Sequence, residues 1–278
     1  MEILAYGFMQ RALIAGTVIG AVCALIGVYV VLRGMSFIGT GIAHASFGGV
    51  ALGFLLGINP TLSAIAFCLL VSWGIAWVSQ SGKIREDAAV GIFFASTMAF
   101  GILLIGLMQG YNVELFSFLF GSILAVTRTD VWMTLGLGAL VLLLVGLFYK
   151  ELLFITFDAE MARVLGLPAT ALYFLLVSLI ALTVVISIKV VGIVLVSALI
   201  VTPAAAAWQL TDRFGVMVAL SVAFGVFSTV GGLFLSFWLN TASGATIVLL
   251  STAIFFLAFF LSPKRRGRLL PARAASSA

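Results

Sequence analysis

The only histidine of this chain, His44, lies inside an apolar run, within Ser36–Gly53 (SFIGTGIAHASFGGVALG). An ionisable or metal-binding side chain is costly in such a run, so His44 is by default a candidate for function. In a helix, Thr40 is one turn before His44 and Gly48 one turn after it, so imidazole and hydroxyl can point into one space. One histidine does not make a metal site, and further ligands would come from the backbone, water, another helix or a second copy. A histidine that only hydrogen-bonds to a neighbouring helix is the alternative.

A second candidate is the charged stretch Lys150–Pro168 (KELLFITFDAEMARVLGLP) between two apolar runs. Asp158 can cap a short helix, with Glu160 and Met161 in its first turn. Gly166 lies near the end of this helix and Pro168 lies beyond it. Ala159, Ala162 and Val164–Leu165 give this helix an apolar surface. The pattern predicts a helix that docks a soluble partner. A helix that lies flat on lipid headgroups is the alternative.

A third candidate is Thr202–Pro203, in the middle of the apolar part of Lys189–Arg213. The proline removes a backbone donor, which predicts a kink or a break in the helix. A broken helix at membrane depth is tolerated where it lines a cavity. Thr202 and Pro203 are therefore candidates for lining a path through the protein, although proline kinks without a transport role are common.

Signatures of enzymes are missing from the sequence. No G-x-x-x-x-G-K-[ST] loop occurs, which excludes ATP binding through a loop of that kind. Neither H-E-x-x-H nor G-x-S-x-G occurs, so intramembrane hydrolysis is unsupported. We expect no catalytic residues, no enzyme activity and no cofactor.

The elements that position these candidates are membrane-spanning helices. Hydrophobic residues make up 64% and charged residues 8% of the 278 residues, whereas about a quarter of a soluble domain is charged. About 20 apolar residues cross the hydrocarbon core as a helix. The chain therefore predicts an all-α integral membrane protein, a polytopic bundle of eight to nine transmembrane helices. We expect one transmembrane domain at 1–263 and a basic tail at 264–278, with no surface for nucleic acid.

Nine apolar runs are candidate spans: Phe8–Leu32, Ile38–Gly57, Pro60–Ser79, Ala88–Met108, Asp130–Tyr149, Ala169–Ser187, Val190–Gln209, Phe214–Leu239 and Ser243–Leu261. The stretch Glu114–Val126 is too short to span and is expected at an interface or against the bundle. Cys23 and Cys68 lie inside apolar runs and are expected to be packing residues. The N-terminal residues lack a signal-peptide pattern, so the first run is expected to be a retained span.

Lys and Arg give the orientation of these spans. With the tail in the cytoplasm, alternation places most of the basic residues on the cytoplasmic side: Arg33, Lys83, Arg85, Lys150, Arg163, Arg213, Lys264, Arg265, Arg266, Arg268 and Arg273. The opposite side receives Arg11, Arg128 and Lys189. This bias has the sense that the positive-inside rule requires.

Small residues recur every four positions along the first two spans. The first span carries Gly16, Gly20 and Ala24; the second carries Gly41, Ala45, Gly49, Gly53 and Gly57. Such grooves let a neighbouring helix backbone approach closely in lipid. The longer stripe lies in the span that holds His44, which indicates that the second helix is central.

At these same elements the chain resembles the permease subunits of bacterial and archaeal ABC importers for manganese, zinc and iron. The matching pieces run from about Met9 to Pro263: Arg33-Gly-Met-Ser-Phe-Ile-Gly with Ile42-Ala-His-Ala, then Phe157–Pro168, Val191–Arg213 and Ser243-Gly-Ala-Thr-Ile-Val. The resemblance implies a permease of a prokaryotic cell membrane that works by alternating access. It also implies a homodimer, cytoplasmic ABC ATPase subunits that hydrolyse the ATP, and an extracytoplasmic metal-binding protein that delivers the ion.

The resemblance also assigns roles to residues. His44 corresponds to the histidine along the metal path, where it would be a transient ligand. The segment Phe157–Pro168 corresponds to the coupling helix that seats in the ATPase, here with Phe157, Asp158, Glu160, Met161, Arg163, Leu165 and Gly166. Family members usually carry an acid four positions before the histidine (G-D-x-x-x-H), where this chain has Thr40. Cation stabilisation at His44 is therefore expected to be weaker, and the choice among zinc, manganese and iron stays open.

A secondary transporter and an intramembrane enzyme fit the sequence less well than an ABC importer permease does. A secondary metal transporter driven by an ion gradient would need intramembrane acids for coupling, and the predicted spans contain almost none. An intramembrane enzyme would need a nucleophile–base pair or a metal motif. Neither requirement is met by the sequence.

The basic asymmetry predicts the sidedness of three segments. Cysteine-accessibility labelling in intact cells should find Lys83–Asp87 and the tail after Pro263 protected, and Gln109–Thr129 labelled from outside. Nine spans place the N-terminus outside, whereas eight would move it. Labelling of the tail from outside would contradict the whole topology.

Overall fold

The computed structural model describes residues 6–82, 84–108, 118–121 and 126–264, apart from the side chain of Lys189. In these ranges the chain forms helices in the order α1 (Gly7–Leu32), α2 (Ile38–Leu56), α3 (Pro60–Gln80), α4 (Glu86–Leu107), α5 (Arg128–Leu147), α6 (Tyr149–Phe157), α7 (Ala159–Val164), α8 (Ala169–Val191), α9 (Ile193–Leu210), α10 (Phe214–Leu239) and α11 (Ser243–Leu261). The predicted all-α architecture is confirmed.

Nine helices of the described ranges are long and apolar enough to cross a membrane. The polytopic bundle expected from composition is therefore present, with nine candidate spans rather than eight. The last two spans have the predicted bounds, because Asn240 and Ser262 end helices where the apolar runs end. The sixth and seventh differ: α8 continues to Val191 and α9 begins at Ile193.

Two sequence predictions fall partly outside the described residues. Of the stretch Glu114–Val126, the structure describes 118–121, where 118–120 are helical, and Val126. Of the basic tail, it describes Lys264.

Helix α1 is joined to α10 and α9 by close backbone contacts. A Cβ added at Gly20 would meet the carbonyl of Gly225 at 2.6 Å. One added at Gly27 would overlap the carbonyl oxygen of Ile200. The Ser221 hydroxyl adds a 2.8 Å hydrogen bond to the carbonyl of Ala24. The predicted groove along the first span is therefore filled by neighbouring backbone.

Helix α2 is held between α3 and α4 by its small residues. A Cβ at Gly49 would come within 2.8 Å of the Ala64 Cα in α3, and one at Gly41 within 2.5 Å of Val90 in α4. Gly57 does not belong to this groove. It ends α2 with a φ of 66°, and a Cβ there would meet nothing within 4 Å. A glycine is needed at position 57 because of the left-handed turn and not because of packing. The predicted stripe of small residues therefore ends at Gly53.

The two cysteines are free and buried, as predicted. Cys23 Sγ lies 3.1 Å from the Ser187 hydroxyl, which joins α1 to α8. Cys68 Sγ lies 3.7 Å from the carbonyl oxygen of Ile42, between α3 and α2.

The packing of α2 predicts a contrast between two glycines. Gly49→Ala should lower the free energy of unfolding by about 1–3 kcal/mol, because the new methyl group presses on the backbone of α3. Gly136→Ala is the control, since a Cβ there would meet nothing within 4 Å. It should be neutral or stabilising by up to about 1 kcal/mol. Unfolding of the purified protein in mixed micelles measures both, and equal stabilities would contradict this account.

Candidate functional site

His44 lies on the face of α2 that packs against α4. Contacts along this face follow helical spacing, with Gly41 at Val90, His44 at Phe94 and Gly48 at Thr97. The imidazole meets the Phe94 ring edge-on, with 4.7 Å between ring centroids and 70° between planes. The glycines on either side bring α4 close enough for this contact, so helix packing fixes the position of the imidazole.

One nitrogen of the His44 ring is already engaged. Nδ1 lies 2.9 Å from the backbone carbonyl oxygen of Thr40. A carbonyl oxygen only accepts hydrogen bonds, so Nδ1 carries the proton and Nε2 keeps the lone pair that binds metal ions. The hydrogen bond also orients the ring, as it does for many metal-binding histidines. The structure thus places Thr40 and His44 together, one turn apart on α2, and both are half-buried.

The cation-binding capacity at His44 is small. Within the described ranges no group of three or more His, Cys, Asp or Glu side chains comes together to hold a metal ion. One imidazole with a neighbouring hydroxyl is a weak ligand set.

The stretch from Phe157 to Pro168 has the local structure that the sequence predicts. The Asp158 carboxylate caps α7 by accepting a 2.8 Å hydrogen bond from the Met161 N–H. Gly166 ends the helix with a φ of 80°, and its N–H bonds to the carbonyl of Arg163 at 3.1 Å. The Leu167 N–H bonds to the carbonyl of Ala162 at 2.9 Å. These two bonds form a Schellman motif, which requires a glycine at position 166.

Helix α7 is anchored on one side and open on the other. Ala162 is fully buried, and Arg163 Nη2 donates a 3.0 Å hydrogen bond to Gln80 Oε1 at the end of α3. The open side is apolar, with exposed fractions of 67% for Phe157, 80% for Val164 and 63% for Leu165. An exposed apolar patch beside charged residues is typical of a protein-binding surface. We call the end of the bundle that carries this helix the α7 end.

Thr202 and Pro203 do not break their helix. Helix α9 runs from Ile193 to Leu210 with Pro203 inside it, so of the predicted kink or break the break does not occur. The next residue, Ala204, is buried in a cluster with Val28 of α1 and Met217 of α10. Around the proline, α9 therefore contacts α1 and α10, whereas it meets α2 at Ser197 and Ile200.

The break lies instead at Gly192, between α8 and α9. Gly192 has a φ of 93°, a conformation that side-chain-bearing residues rarely adopt. Two other glycines, Gly121 and Gly244, pack onto the carbonyl groups of Val190 and Val191 just before it. The Ser243 hydroxyl donates a 3.3 Å hydrogen bond to the Val190 carbonyl. The Ser243-Gly pair of the sequence pattern thus closes the end of α8.

The sequence analysis did not predict the contacts of Arg33, which it used as a topology marker and as part of a matched pattern. Arg33 Nη1 donates a 3.1 Å hydrogen bond to the carbonyl of Ile155, and its guanidinium lies 5.1 Å from the centre of the Tyr173 ring. Burial lowers the pKa of Arg33, while Glu86 and Tyr173 act in the opposite direction. The available signal was its place in the Arg33-Gly-Met-Ser-Phe-Ile-Gly pattern.

A polytopic bundle that keeps an imidazole within its helices and a short capped helix at one end has the architecture of a membrane transport permease. The chain belongs to the ABC 3 transport family, which it matches over residues 5–262. The family resemblance drawn from the sequence is thereby confirmed. The chain is a permease of a metal ABC importer.

Two curated relatives are similar along nearly the whole chain. The manganese transport system membrane protein MntC of Halalkalibacterium halodurans is 43% identical over 264 residues, which cover 95% of this chain and 90% of that protein. The manganese import system permease protein ScaB of Streptococcus gordonii is 42% identical over 261 residues, covering 94% of each chain.

Two solved structures share the fold. A chain of PsaBC from Streptococcus pneumoniae, in complex with a Fab, superposes with a TM-score of 0.86 at 40% identity, covering 95% of this chain and 96% of that one. A metal-chelate type ABC transporter in an inward-facing conformation gives a TM-score of 0.75 at 14% identity, with 94% and 88% coverage. The second likeness concerns the fold alone.

Proposed function

We propose that this chain is the transmembrane permease of an ATP-driven importer for Mn²⁺. The observation that carries the proposal is the similarity, over nine-tenths of the chain or more, to permeases named for manganese import. The half-buried imidazole of His44, with Nε2 free of the bond that engages Nδ1, supports it from the structure. Manganese accepts nitrogen and oxygen ligands, which imidazole and hydroxyl both supply.

In this proposal His44 is a transient ligand on the ion path. Nε2 contacts the passing ion, the Thr40 hydroxyl offers a neutral oxygen, and water fills the remaining positions. A homodimer would bring two such imidazoles to one path, because each chain has a single histidine. A path must hold its ion weakly enough to release it, and a site without a carboxylate fits that requirement. Thr202 and Pro203 are proposed to line the path further along α9.

Coupling to ATP is proposed to occur at α7. The exposed apolar residues in α7 and directly beside it, Phe157, Met161 and Leu165, would seat in a cytoplasmic ABC ATPase subunit. Glu160 and Arg163 would form the charged rim of this surface. The sequence has no phosphate-binding loop of its own. ATP hydrolysis therefore belongs to the partner, and its closure would move α7 and reorient the bundle between outward-open and inward-open forms.

The proposed orientation puts the α7 end in the cytoplasm of a prokaryotic cell, with the C-terminus on the same side. Basic residues of the described ranges concentrate near this end: Arg33, Arg85, Lys150, Arg163, Arg213 and Lys264. Arg11 and Arg128 lie at the other end, where Arg11 bonds to the Val126 carbonyl at 3.0 Å. The positive-inside rule gives the same sense. The opposite face would receive Mn²⁺ from an extracytoplasmic binding protein.

Transport driven by an ion gradient is not favoured. A secondary transporter needs acids within its helices to bind the coupling ion. In the described spans the acidic side chains stand in first turns, as Glu86 and Asp87 do in α4 and Asp130 in α5. Membership in an ABC transport family also favours ATP-driven transport.

Replacement of His44 tests its place on the path. His44→Ala should reduce ATP-dependent uptake of radioactive Mn²⁺ by about 10- to 100-fold, because the only imidazole is lost. His44→Gln is the matched variant, since its amide can still donate to a helix carbonyl but brings no imidazole. It should lose uptake equally and keep wild-type amounts in the membrane. Normal uptake by His44→Ala would remove His44 from the path, and loss of expression in both would favour the packing role.

Replacement of Thr40 tests the missing acid. Thr40→Asp adds a carboxylate one turn from the imidazole, so we expect tighter binding of Mn²⁺ and slower turnover, seen as a lower KM and a lower maximal rate. Thr40→Asn is the control, because the asparagine side chain has the shape of aspartate without its charge. Identical uptake kinetics in both variants and the wild type would show that position 40 does not face the ion.

Charge reversal on α7 tests the docking of the ATPase. Glu160→Lys or Arg163→Glu should weaken co-purification of the ATPase subunit, by about 2–5 kcal/mol where the charge becomes buried and far less at a rim. Val164→Asp should have the same effect through the apolar patch. Lys150→Glu, an exposed reversal at the start of α6, is the control. Unchanged co-purification and uptake in all three α7 variants would leave α7 as a helix lying on headgroups.

A further inference from the structure

Arg33 stands at a rigid corner between α1 and α2. The corner is a Schellman motif, in which Gly34 (φ 71°) donates to the Val31 carbonyl at 3.1 Å and Met35 to the Val30 carbonyl at 3.0 Å. Helix α2 begins at Ile38, a few residues later. Because the corner is fixed by its own hydrogen bonds, a displacement of Arg33 is passed to the start of α2.

The Arg33 guanidinium contacts the elements on both sides of α7. Its hydrogen bond goes to Ile155, in the last turn of α6, where helix carbonyls lack partners further along the chain. Its flat side lies against Tyr173, in the first turns of α8. Helix α6 ends directly before α7, and α8 begins soon after it. One side chain thus joins the entry and the exit of the docking helix.

Tyr173 extends this contact to two more helices. Its hydroxyl lies 3.3 Å from Ser79 Oγ at the end of α3, and both Arg33 and Tyr173 interact electrostatically with the Glu86 carboxylate at the start of α4. We call Arg33, Tyr173, Glu86 and Ser79 the Arg33 cluster. It connects α1, α3, α4 and α8 at the α7 end, and through Ile155 it reaches α6. The α4 helix held here is the one that contacts His44 through Phe94.

We propose that Arg33 is the positioning residue that carries the movement of α7 to the helices around His44. The inference rests on the proposed function, since it takes α7 as the place where ATPase movement enters. A displacement of α7 pulls on Ile155 and Tyr173, and Arg33 transmits it to the α1–α2 corner and, through Glu86, to α4. A guanidinium presents several N–H donors in a fixed plane, so it can hold the Ile155 carbonyl and the Tyr173 ring in one geometry, and lysine replaces it only in part.

The decisive experiment measures Mn²⁺ taken up per ATP hydrolysed by the assembled importer in proteoliposomes. Arg33→Gln should keep ATPase binding and hydrolysis at the wild-type level and lower uptake per ATP by about tenfold. Arg33→Lys should recover part of the ratio. Arg213→Gln is the control, because Arg213 is an exposed guanidinium at the same end. It should match the wild type.

A second variant separates transmission from simple loss of stability. Tyr173→Leu should uncouple the importer as Arg33→Gln does, and the double variant should lose no more, because both changes cut one connection. In both single variants, backbone hydrogen exchange should rise in 149–164 and stay unchanged in α10, which lies outside the cluster.

The outcomes discriminate among three cases. An uptake ratio in Arg33→Gln equal to that of Arg213→Gln overturns the inference and leaves the proposed function intact. Loss of ATPase binding together with faster exchange throughout the chain also overturns it, because Arg33 would then only stabilise the fold. A wild-type assembly without ATP-dependent Mn²⁺ uptake overturns the proposed function itself, and the inference with it.

Discussion

Apolar burial does not draw helices together inside a bilayer, because lipid chains are as apolar as leucine. Helices must instead touch through their backbones, and this protein does so at glycines. Gly20 meets Gly225, Gly27 meets Ile200, and Gly244 meets Val191. Contacts of this kind leave no room for sliding, so they fix the distance and register of each helix pair. The position of the His44 imidazole on α2 follows from that constraint.

The two candidate sites are held in place by different kinds of contact. In lipid, α2 is clamped by α3 and α4, and the clamp turns the His44 imidazole toward Phe94 with one nitrogen held by a helix carbonyl. At the α7 end, polar groups replace glycine as the means of contact. Arg33 and Arg163 each reach a distant helix by a side-chain hydrogen bond, and the docking helix keeps its apolar side exposed.

Local features of this structure were readable from the sequence, and long-range ones were not. Nine spans follow from the length of the apolar runs, and the Asp158 cap follows from residues three positions apart. Pro203 predicts a kink or a break because proline lacks a donor, but a single missing bond leaves α9 continuous. Gly192 ends the helix because its φ angle is positive, and a single glycine in the sequence does not predict that conformation. The bond from Arg33 to Ile155 joins residues 122 positions apart, and no spacing in the sequence predicts it.

Helix α11 supplies hydrogen bonds at both of its ends to the helices before it. Ser243 donates to the Val190 carbonyl at the end of α8, and at the other end Ser262 and Lys264 donate to the Gln209 and Trp208 carbonyls that close α9. Each donor lies more than 50 positions after its acceptor. During synthesis on the ribosome, α8 and α9 therefore enter the bilayer with exposed carbonyls at their ends. Helix α11 completes them, so the ends of α8 and α9 are closed only after this later span has been inserted.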